Sequence, residues 1–520
     1  MTNPLVSSSS KTKPSLTELS QPFSSSGTEP DSLSVAQICS KLIQVEQDLK
    51  LFEWQIKDVY IWPLLRMTLY YELTQKLGVF GAPHGTSNWK GRRFRRVKLW
   101  FYAIFKDLFT PTTSCDFMLV EHTRKVKKDG LWVDIYTDHL TRRLQTESLS
   151  FCVYENLSYQ SQTHKYRSHP HSYYDPIIAR ARLLSKLSFL TLSATQKDKI
   201  KKLEEALFTH FHLRIPLTKK IKNRVLEFNF ARRSYQKLLK IRQPKALLVV
   251  VSYSNSIAPL TAAAKSLAIP TIEMQHGTFS SYHLGYHFPN LDHQPYFCDY
   301  FFSFGPFWHA MADLPLPNEK IITFGFPHLS EQLTKITTNT EMGSLESSSE
   351  PNSILFLSQG VIGKGLAKYA VACSQAQIPW RLRYKLHPSE YNTWRSDYPL
   401  LAEHSDAGLI EVIDHHHLKL YDLMREAHYQ VGVFSTAVYE GMALGCQTLL
   451  IDLPGLEYMN TLIEQNFAEK ITSPQQLCQR LEQSAHKMET TPTRRDFEPK
   501  QIFSELQEDS IQWLLNIIKD

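Results

Sequence analysis

The run Ala246-Leu247-Leu248-Val249-Val250-Val251 constrains this chain more than any other stretch. A half-solvated strand would alternate apolar and polar side chains, and this run does not. Unbroken apolarity over a short length suits a parallel strand covered by helices on both faces. The surrounding residues keep that rhythm. Ile257 to Leu267 reads as a helix, Pro270 to Met274 as a strand and Tyr300 to Phe304 as another. Upstream, Phe117 to Val120 and Ser150 to Tyr154 read as short buried strands, followed by helical runs over 177–195 and 196–240. Strand, helix, strand at this spacing is a doubly wound sheet.

The polar, Ser/Thr/Glu-rich stretch 331–353 reads as a linker, and the same rhythm restarts beyond it. Strands are expected at Ile354 to Leu357, Arg381 to Leu386, Leu409 to Ile413, Gln430 to Phe434 and Thr448 to Asp452. Helices are expected at Gly365 to Ser374, Leu418 to Ala427, Ala437 to Leu444 and from Ser473-Pro474 onward. A chain of 520 residues is too long for one core. The expected division is a disordered tail (1–32), a helical region (33–110), a first Rossmann-like domain (111–330), the linker (331–353) and a second Rossmann-like domain (354–500). A last helix (501–520) is expected to pack back on the first domain. Within the helical region, Pro63 is expected to end or restart a helix.

The tail is rich in Ser, Thr and Pro and lacks the apolar core of a signal peptide. Seven dispersed cysteines form no CxxC pair, which points to reduced thiols in a cytoplasmic protein. The net charge of +7 is modest for this length, but it concentrates at Lys90, Arg92, Arg93, Arg95, Arg96 and Lys98. From Trp89 to Phe109, Phe94, Val97, Phe101, Ile104, Phe105 and Leu108 follow helical spacing. That is a basic amphipathic helix, suited to the inner membrane surface or, more plainly, to a core helix with a solvated basic edge. No RNA-binding module surrounds it, so no nucleic-acid partner is expected.

Ligands of an open α/β sheet sit at the carboxyl ends of its strands, and the candidate site residues fall there. Ser435 and Thr436 stand where a strand turns into a helix, a place whose free amides and dipole favour an anion such as phosphate. Glu440 lies one turn on, on the face of Thr436, suited to ribose hydroxyls. Lys385-Leu386-His387-Pro388 and Ser358-Gln359-Gly360 end two other strands of that sheet. Pro388 holds His387 extended, so its imidazole and Lys385 are expected to face a phosphate. In the first sheet, Gln275-His276-Gly277 ends its strand. His276 suits acid–base work, with Glu273 two residues earlier. Tyr282-His283-Leu284-Gly285-Tyr286 has a composition suited to sugar rings. Of Asp129, Asp134 and Asp138, one is a candidate base or nucleophile, Asp134 being taken as the candidate; solvated loop acids are the plain alternative. For each histidine the plain alternative is a structural one, and for Glu440 a solvated helix residue. No Asp-x-Asp occurs, and adjacent side chains in His415-His416-His417 rarely face one ion together, so no metal site and no cofactor is expected.

Gln275-His276-Gly277, Lys385-Leu386-His387-Pro388 and Phe434-Ser435-Thr436 through Glu440-Gly441 together resemble bacterial glycosyltransferases of the GT-B fold. The nearest groups make capsule and other surface polysaccharides: Kdo transferases, CMP-sialic acid transferases and CDP-glycerol polymerases. The resemblance covers roughly Phe117 to Ile471. It implies two Rossmann-like domains facing a central cleft, with an N-terminal helical extension. It also implies a nucleotide-sugar donor, CMP-Kdo favoured, against His387, Pro388, Ser435, Thr436 and Glu440, and an acceptor glycan near His276. The sialyltransferase-like members carry paired acids where this chain has Gln275-His276. A CDP-polyol transferase, a sugar-nucleotide epimerase and a non-catalytic module are the alternatives on this scaffold.

Overall fold

The computed structural model describes residues 33–80, 97, 101, 113–122, 124–156, 168–341, 353–415, 418–485 and 498–517. The expected tail, most of the 89–109 helix, His416 and His417 lie outside them. Val97 and Phe101 are helical and about half exposed, at 54% and 53%.

Among the described residues the first element is the helix Val35–Asp48, started by a capping box between Ser34 and Gln37. A two-stranded ribbon, β1 (Gln55–Ile56) and β2 (Val59–Tyr60), leads to the helix Trp62–Lys76. Pro63 sits in the first turn of that helix, where a missing N–H breaks no helical bond, so it starts the helix instead of interrupting one. Both helices bury their apolar faces against the helices Ala194–Phe211 and Thr218–Arg242. The sequence pattern read the second of those as part of one run over 196–240. His212, with φ of 54°, and Pro216 divide it.

Nine strands follow before the expected linker. They are β3 (Phe117–Val120), β4 (Lys125–Lys128), β5 (Leu131–Asp134), β6 (Phe151–Glu155), β7 (His171–Tyr173), β8 (Ala246–Val250), β9 (Thr271–Met274), β10 (Tyr300–Ser303) and β11 (Ile321–Thr323). Seven of them form one parallel sheet in the order β11-β10-β9-β8-β3-β6-β7. β4 and β5 make a separate hairpin, turned on Asp129 and Gly130 at φ of 51° and 81°. The helix Pro327–Glu341 occupies the first part of the expected linker.

The second sheet is built from β12 (Ser353–Leu357), β13 (Arg381–Lys385), β14 (Glu411–Ile413), β15 (Tyr429–Gly432), β16 (Gln447–Ile451) and β17 (Glu469–Ile471). Its order is β14-β13-β12-β15-β16-β17, all parallel. Numbered along the chain, that is the 3-2-1-4-5-6 order of the dinucleotide-binding sheet, and the first sheet repeats it with one further strand. The molecule is thus two doubly wound, Rossmann-like domains with a helical extension, the GT-B-like architecture.

The chain then returns to the first domain. Ser504 donates its N–H to Phe304 O and accepts from Phe326 N, at 2.8 and 2.9 Å, and Gln507 donates to Phe324 O. Gly325 allows this approach. Its φ is 98°, and a Cβ there would meet Glu505 O at 2.2 Å. The helix Glu508–Ile517 covers β10, with Trp513 edge-on to Tyr300 and Phe302 at 4.6 and 5.7 Å. The two domains meet in one apolar cluster, where Tyr439 of the second packs on Trp308 and Phe307 of the first at 5.0 and 5.9 Å.

Candidate functional site

In a doubly wound sheet the crevice opens where the strand order reverses, here between β12 and β15 in one domain and between β3 and β8 in the other. The two crevices face each other. On the second domain, β15 runs through Val433 and Phe434 into the helix Thr436–Ala443. Ser435 caps it from an extended backbone, its Oγ accepting from Ala437 N at 3.1 Å. Across the gap, Thr278 donates its N–H to Thr436 Oγ1 at 3.2 Å. The loop carrying His276 and the helix N-terminus carrying Ser435 and Thr436 therefore touch.

Glu440 is fully buried one turn into that helix. Arg124 of the first domain reaches it, with 3.5 Å between Nη2 and Oε1, and the Tyr421 hydroxyl lies close enough for its own titration to feel the Glu440 charge. Burial works against the charge of Arg124, but Tyr136 and Glu440 more than offset it and hold the guanidinium firmly protonated. Gly441 lets the helix approach β15. A Cβ there would overlap Gln430 Oε1 at 2.0 Å, and Gln430 is the buried amide that bonds Val438 O and Thr448 Oγ1.

The other two strand ends of this domain are tied by a residue the sequence analysis did not single out. Glu390 is fully buried; its Oε1 accepts from Ser358 Oγ and Tyr398 OH, at 2.9 and 2.6 Å, and its Oε2 accepts from His387 N at 2.7 Å. The Ser358 hydroxyl is thereby spent inside the domain, a correction to its expected place against a ligand. Gln359 keeps one buried, unbonded oxygen, Oε1, beside Gly360. His387 and Pro388 are exposed, and the ring Nδ1 of His387 pairs with Ser389 Oγ at 2.7 Å. Partial desolvation, with Lys385 and Arg124 nearby, holds His387 below its ordinary pKa against the pull of Glu390.

Lys385 departs from expectation. Its ammonium bonds Tyr391 OH at 2.5 Å and the carbonyls of Leu386 and Ile413 at 3.1 and 3.4 Å, lying over the Tyr391 ring. Burial lowers its pKa to about 8 against Asp414 and Glu390. A cation that does cross between the lobes is Arg124, which reaches Glu440.

On the first domain, Gln275 braces the turn: Nε2 bonds Gly277 O and Oε1 accepts from Phe304 N, at 3.0 and 2.8 Å. His276 then lies beside His122, Tyr253 and Tyr286, with ring centroids 5.7, 6.2 and 6.1 Å away. Burial, His122, His283 and Arg124 all disfavour its charge, so it is neutral well below its ordinary range. Glu273 is completely buried. It accepts from Ser252 Oγ, from Ser252 N at 3.2 Å and from Tyr286 OH at 2.6 Å. Val251, just before, takes φ of 71°, a costly conformation for a β-branched residue, and Ser252 is pinned there by both bonds to Glu273.

Three expectations need correcting here. Glu273 meets His276 only through Tyr286, whose hydroxyl lies 3.1 Å from His276 Nδ1. Tyr286 itself is 1% exposed and offers no face to a sugar ring. Asp134 is also fully engaged: it accepts from His122 N, Tyr136 N and Thr137 N at 2.8, 2.8 and 3.2 Å, with Lys125 Nζ at 3.2 Å. Burial raises its pKa against Lys125, and it stands behind the site, bracing His122 and Lys125. Asp129 is the exposed hairpin tip and Asp138 is buried at the start of a helix.

His122 and Arg124 were not read from the sequence as site residues. Their signal was position alone, one and three residues past Glu121 at the carboxyl end of β3. Among the described residues no cluster of three or more His, Cys, Asp or Glu side chains could hold a metal ion, and no helix is long and apolar enough to cross a membrane.

No family model and no curated protein matches the chain. Solved structures similar to it include the UDP-GlcNAc 2-epimerase of Methanocaldococcus jannaschii, with UDP-GlcNAc and UDP, at 12% identity and a TM-score of 0.45 over 78% of this chain and 100% of that one. The UDP-GlcNAc 2-epimerase of Neisseria meningitidis, bound to UDP-GlcNAc, gives 12%, 0.45, 78% and 100%. The glycosyltransferase VinC in complex with DTDP gives 11% and 0.42 over 78% of this chain and 100% of that one. At such scores the likeness adds nothing to the strand order, which carries the architecture by itself.

Proposed function

We propose that this chain is a glycosyltransferase that binds a nucleotide-sugar between its two domains and transfers the sugar without a metal ion. The observation that carries the reading is the contact of Thr278 N with Thr436 Oγ1, beside the approach of Arg124 to Glu440. It puts a helix N-terminus, a firmly charged guanidinium and a neutral imidazole around one gap. The amides at Ser435 and Thr436 receive the donor's phosphate, and Arg124 and His387 stabilise the charge left on the departing nucleotide. Glu440 and the Gln359–Gly360 segment line the nucleoside side. His276 takes the proton of the acceptor hydroxyl.

The finer parts rest on the sequence resemblance. The favoured donor is a CMP-sugar such as CMP-Kdo, and the acceptor a lipid-linked or growing surface glycan. The protein acts in the cytoplasm, peripheral on the inner face of the membrane through residues 89–109. Liposome flotation tests that anchor. A CDP-polyol transferase and a sugar-nucleotide epimerase are the rival activities on this architecture, and an epimerase would interconvert a sugar nucleotide with no acceptor.

The test is a panel of CMP-, CDP- and UDP-sugars with EDTA present, followed by product analysis. Turnover that survives EDTA and falls roughly a hundredfold in Arg124→Ala is the expected result. Undiminished turnover in Glu440→Ala and His387→Ala would refute the site assignment, and CDP-glycerol turnover or acceptor-free epimerisation would replace the transferase by a rival.

A further inference from the structure

Hydrogen-bond accounting fixes which nitrogen carries the proton on each of two neighbouring imidazoles. His122 Nδ1 accepts the N–H of Arg124 at 3.1 Å. A neutral imidazole has one donor and one acceptor nitrogen, so the proton of His122 is on Nε2. His276 is read through Tyr286. That hydroxyl has one proton and gives it to Glu273 Oε1 at 2.6 Å. Its oxygen, 3.1 Å from His276 Nδ1, is left to accept, so the proton of His276 is on Nδ1 and its Nε2 holds a lone pair. Burial raises Glu273 to about 6, with the Ser252 and Tyr286 bonds opposing, so near neutral pH this carboxylate is mostly ionised and only accepts.

The two rings are 5.7 Å apart, centroid to centroid, and tilted 39° to each other. They stand at the carboxyl ends of β3 and β9, on the wall that faces Thr436. All bonds of His122 to described residues go through its backbone N–H and Nδ1, and those of His276 through Nδ1. Neither Nε2 is among the fully enclosed, unbonded polar atoms. Each ring therefore keeps an Nε2 with no partner among the described residues, a donor N–H on His122 and an acceptor on His276.

We propose that His122 and His276 work as a pair of opposite polarity: His276 Nε2 takes the proton of the acceptor hydroxyl while His122 Nε2–H donates a hydrogen bond to the same substrate group or its neighbour. Tyr286 and Glu273 are positioning residues that set the tautomer of His276, and Asp134, bonded to the backbone N–H of His122, is the positioning residue on the other side. In the transfer step the acceptor O–H bond breaks and its proton goes to His276 Nε2. The acceptor oxygen forms its bond to the sugar as the bond from sugar to nucleotide phosphate breaks, the electron pair leaving with the phosphate. His276 returns its proton to solvent. This assignment of roles rests on the transferase reading; the tautomers do not.

The tautomers are read directly from nitrogen–proton correlation spectra of the full-length chain with isotope-labelled histidine, near neutral pH, the two residues being assigned with His122→Gln and His276→Gln. Expected are a proton on Nε2 for His122 and on Nδ1 for His276, with His276 passing to a mixture in Tyr286→Phe. A proton on Nε2 of His276, or no response to Tyr286→Phe, overturns the pairing. Activity supplies the second arm. His122→Gln keeps an N–H donor at similar reach and should hold kcat within a few-fold, whereas His122→Phe should lower it about a hundredfold. Equal losses in the two, in variants that melt like the parent, overturn the donor role. If no sugar nucleotide is turned over at all, the transferase reading and both kinetic roles fall, and the spectra still decide the tautomers. If turnover is intact and the spectra disagree, the pairing alone falls.

Discussion

The two walls of the cleft are made of different materials. The first domain presents side chains: His276, His122 and Arg124, each backed by a buried group that fixes it, namely Tyr286 with Glu273, Asp134, and Glu440 across the gap. The second domain presents main chain: the amides at Ser435 and Thr436 and the turn at Gln359–Gly360, backed by Glu390 and Gln430. Backbone amides at a helix N-terminus suit a charge whose place and sign are constant, such as a phosphate. Titratable side chains suit the part of a reaction where a proton moves. The division of material argues for a division of labour, with donor binding on one side and proton transfer on the other.

If that is right, the first wall is the more fragile. The largest effect should come from Arg66, which is buried and bonds the backbone of the loop that carries His283 and Tyr286. Arg66 and Glu46 are both buried, their side chains 2% and 3% exposed and 2.7 Å apart. Arg66 also donates to Leu284 O and His287 O at 2.5 and 2.7 Å, and Trp62 Nε1 to Glu46 at 2.6 Å. Arg66→Leu strands the Glu46 carboxylate and should cost about 3–5 kcal/mol in denaturant unfolding. Hydrogen exchange should then rise first in residues 280–290. A loss below about 1 kcal/mol, the range of an exposed ion pair, would show that this support is not structural.

Acid should divide the two walls next. His122, His283 and His328 are each pushed down to about 4, by burial first and by neighbouring cations after it, Arg124 for His122 and His328 and Arg66 for His283. The sign follows from linkage. The unfolded chain binds these protons near the ordinary value of about 6.5 and the folded chain does not, so stability is whole above about pH 6.5 and is lost progressively toward pH 4. Glu273, raised to about 6, and Asp134, also raised by burial, work the other way, against these three and His276, which burial lowers as well. Tm should fall by several degrees over that window, with exchange rising around residues 120–136 and 276–290 before it rises at 435–445. Simultaneous softening of both walls would remove the contrast.

How much of this was legible in the sequence follows the same division. The second wall was readable because backbone sites announce themselves through strand ends and helix starts. Ser435, Thr436 and Glu440 were all placed by the turn from β15 into its helix, and the unbroken apolar strands gave the doubly wound rhythm. Side-chain sites depend on which distant residue lies behind which. Nothing near His276 in sequence says that Tyr286 relays it to Glu273, or that Arg124 crosses to a residue 316 positions away. Nor does the sequence say that Lys385, at its strand end, turns toward the carbonyls of Leu386 and Ile413. The β4–β5 hairpin had a local signal, Asp129-Gly130, the dipeptide favoured where both turn residues need positive φ.

The smallest effect tests the second wall. If main chain does the binding at Ser435, the side chain there matters only as a cap. Its Oγ bonds Ala437 N at 3.1 Å and, among the described residues, nothing of the first domain. Ser435→Ala should cost about 1 kcal/mol of stability and Ser435→Gly only a few tenths, the usual ranking of N-caps. Donor binding, read as a nucleotide-induced shift in melting temperature, should survive in both, because the amides that point at the anion belong to the backbone and remain. Loss of that shift in Ser435→Gly, at unchanged stability, would mean the hydroxyl itself grips the ligand. The second wall would then be built of side chains after all, and the contrast between the two would fail where it looks most secure.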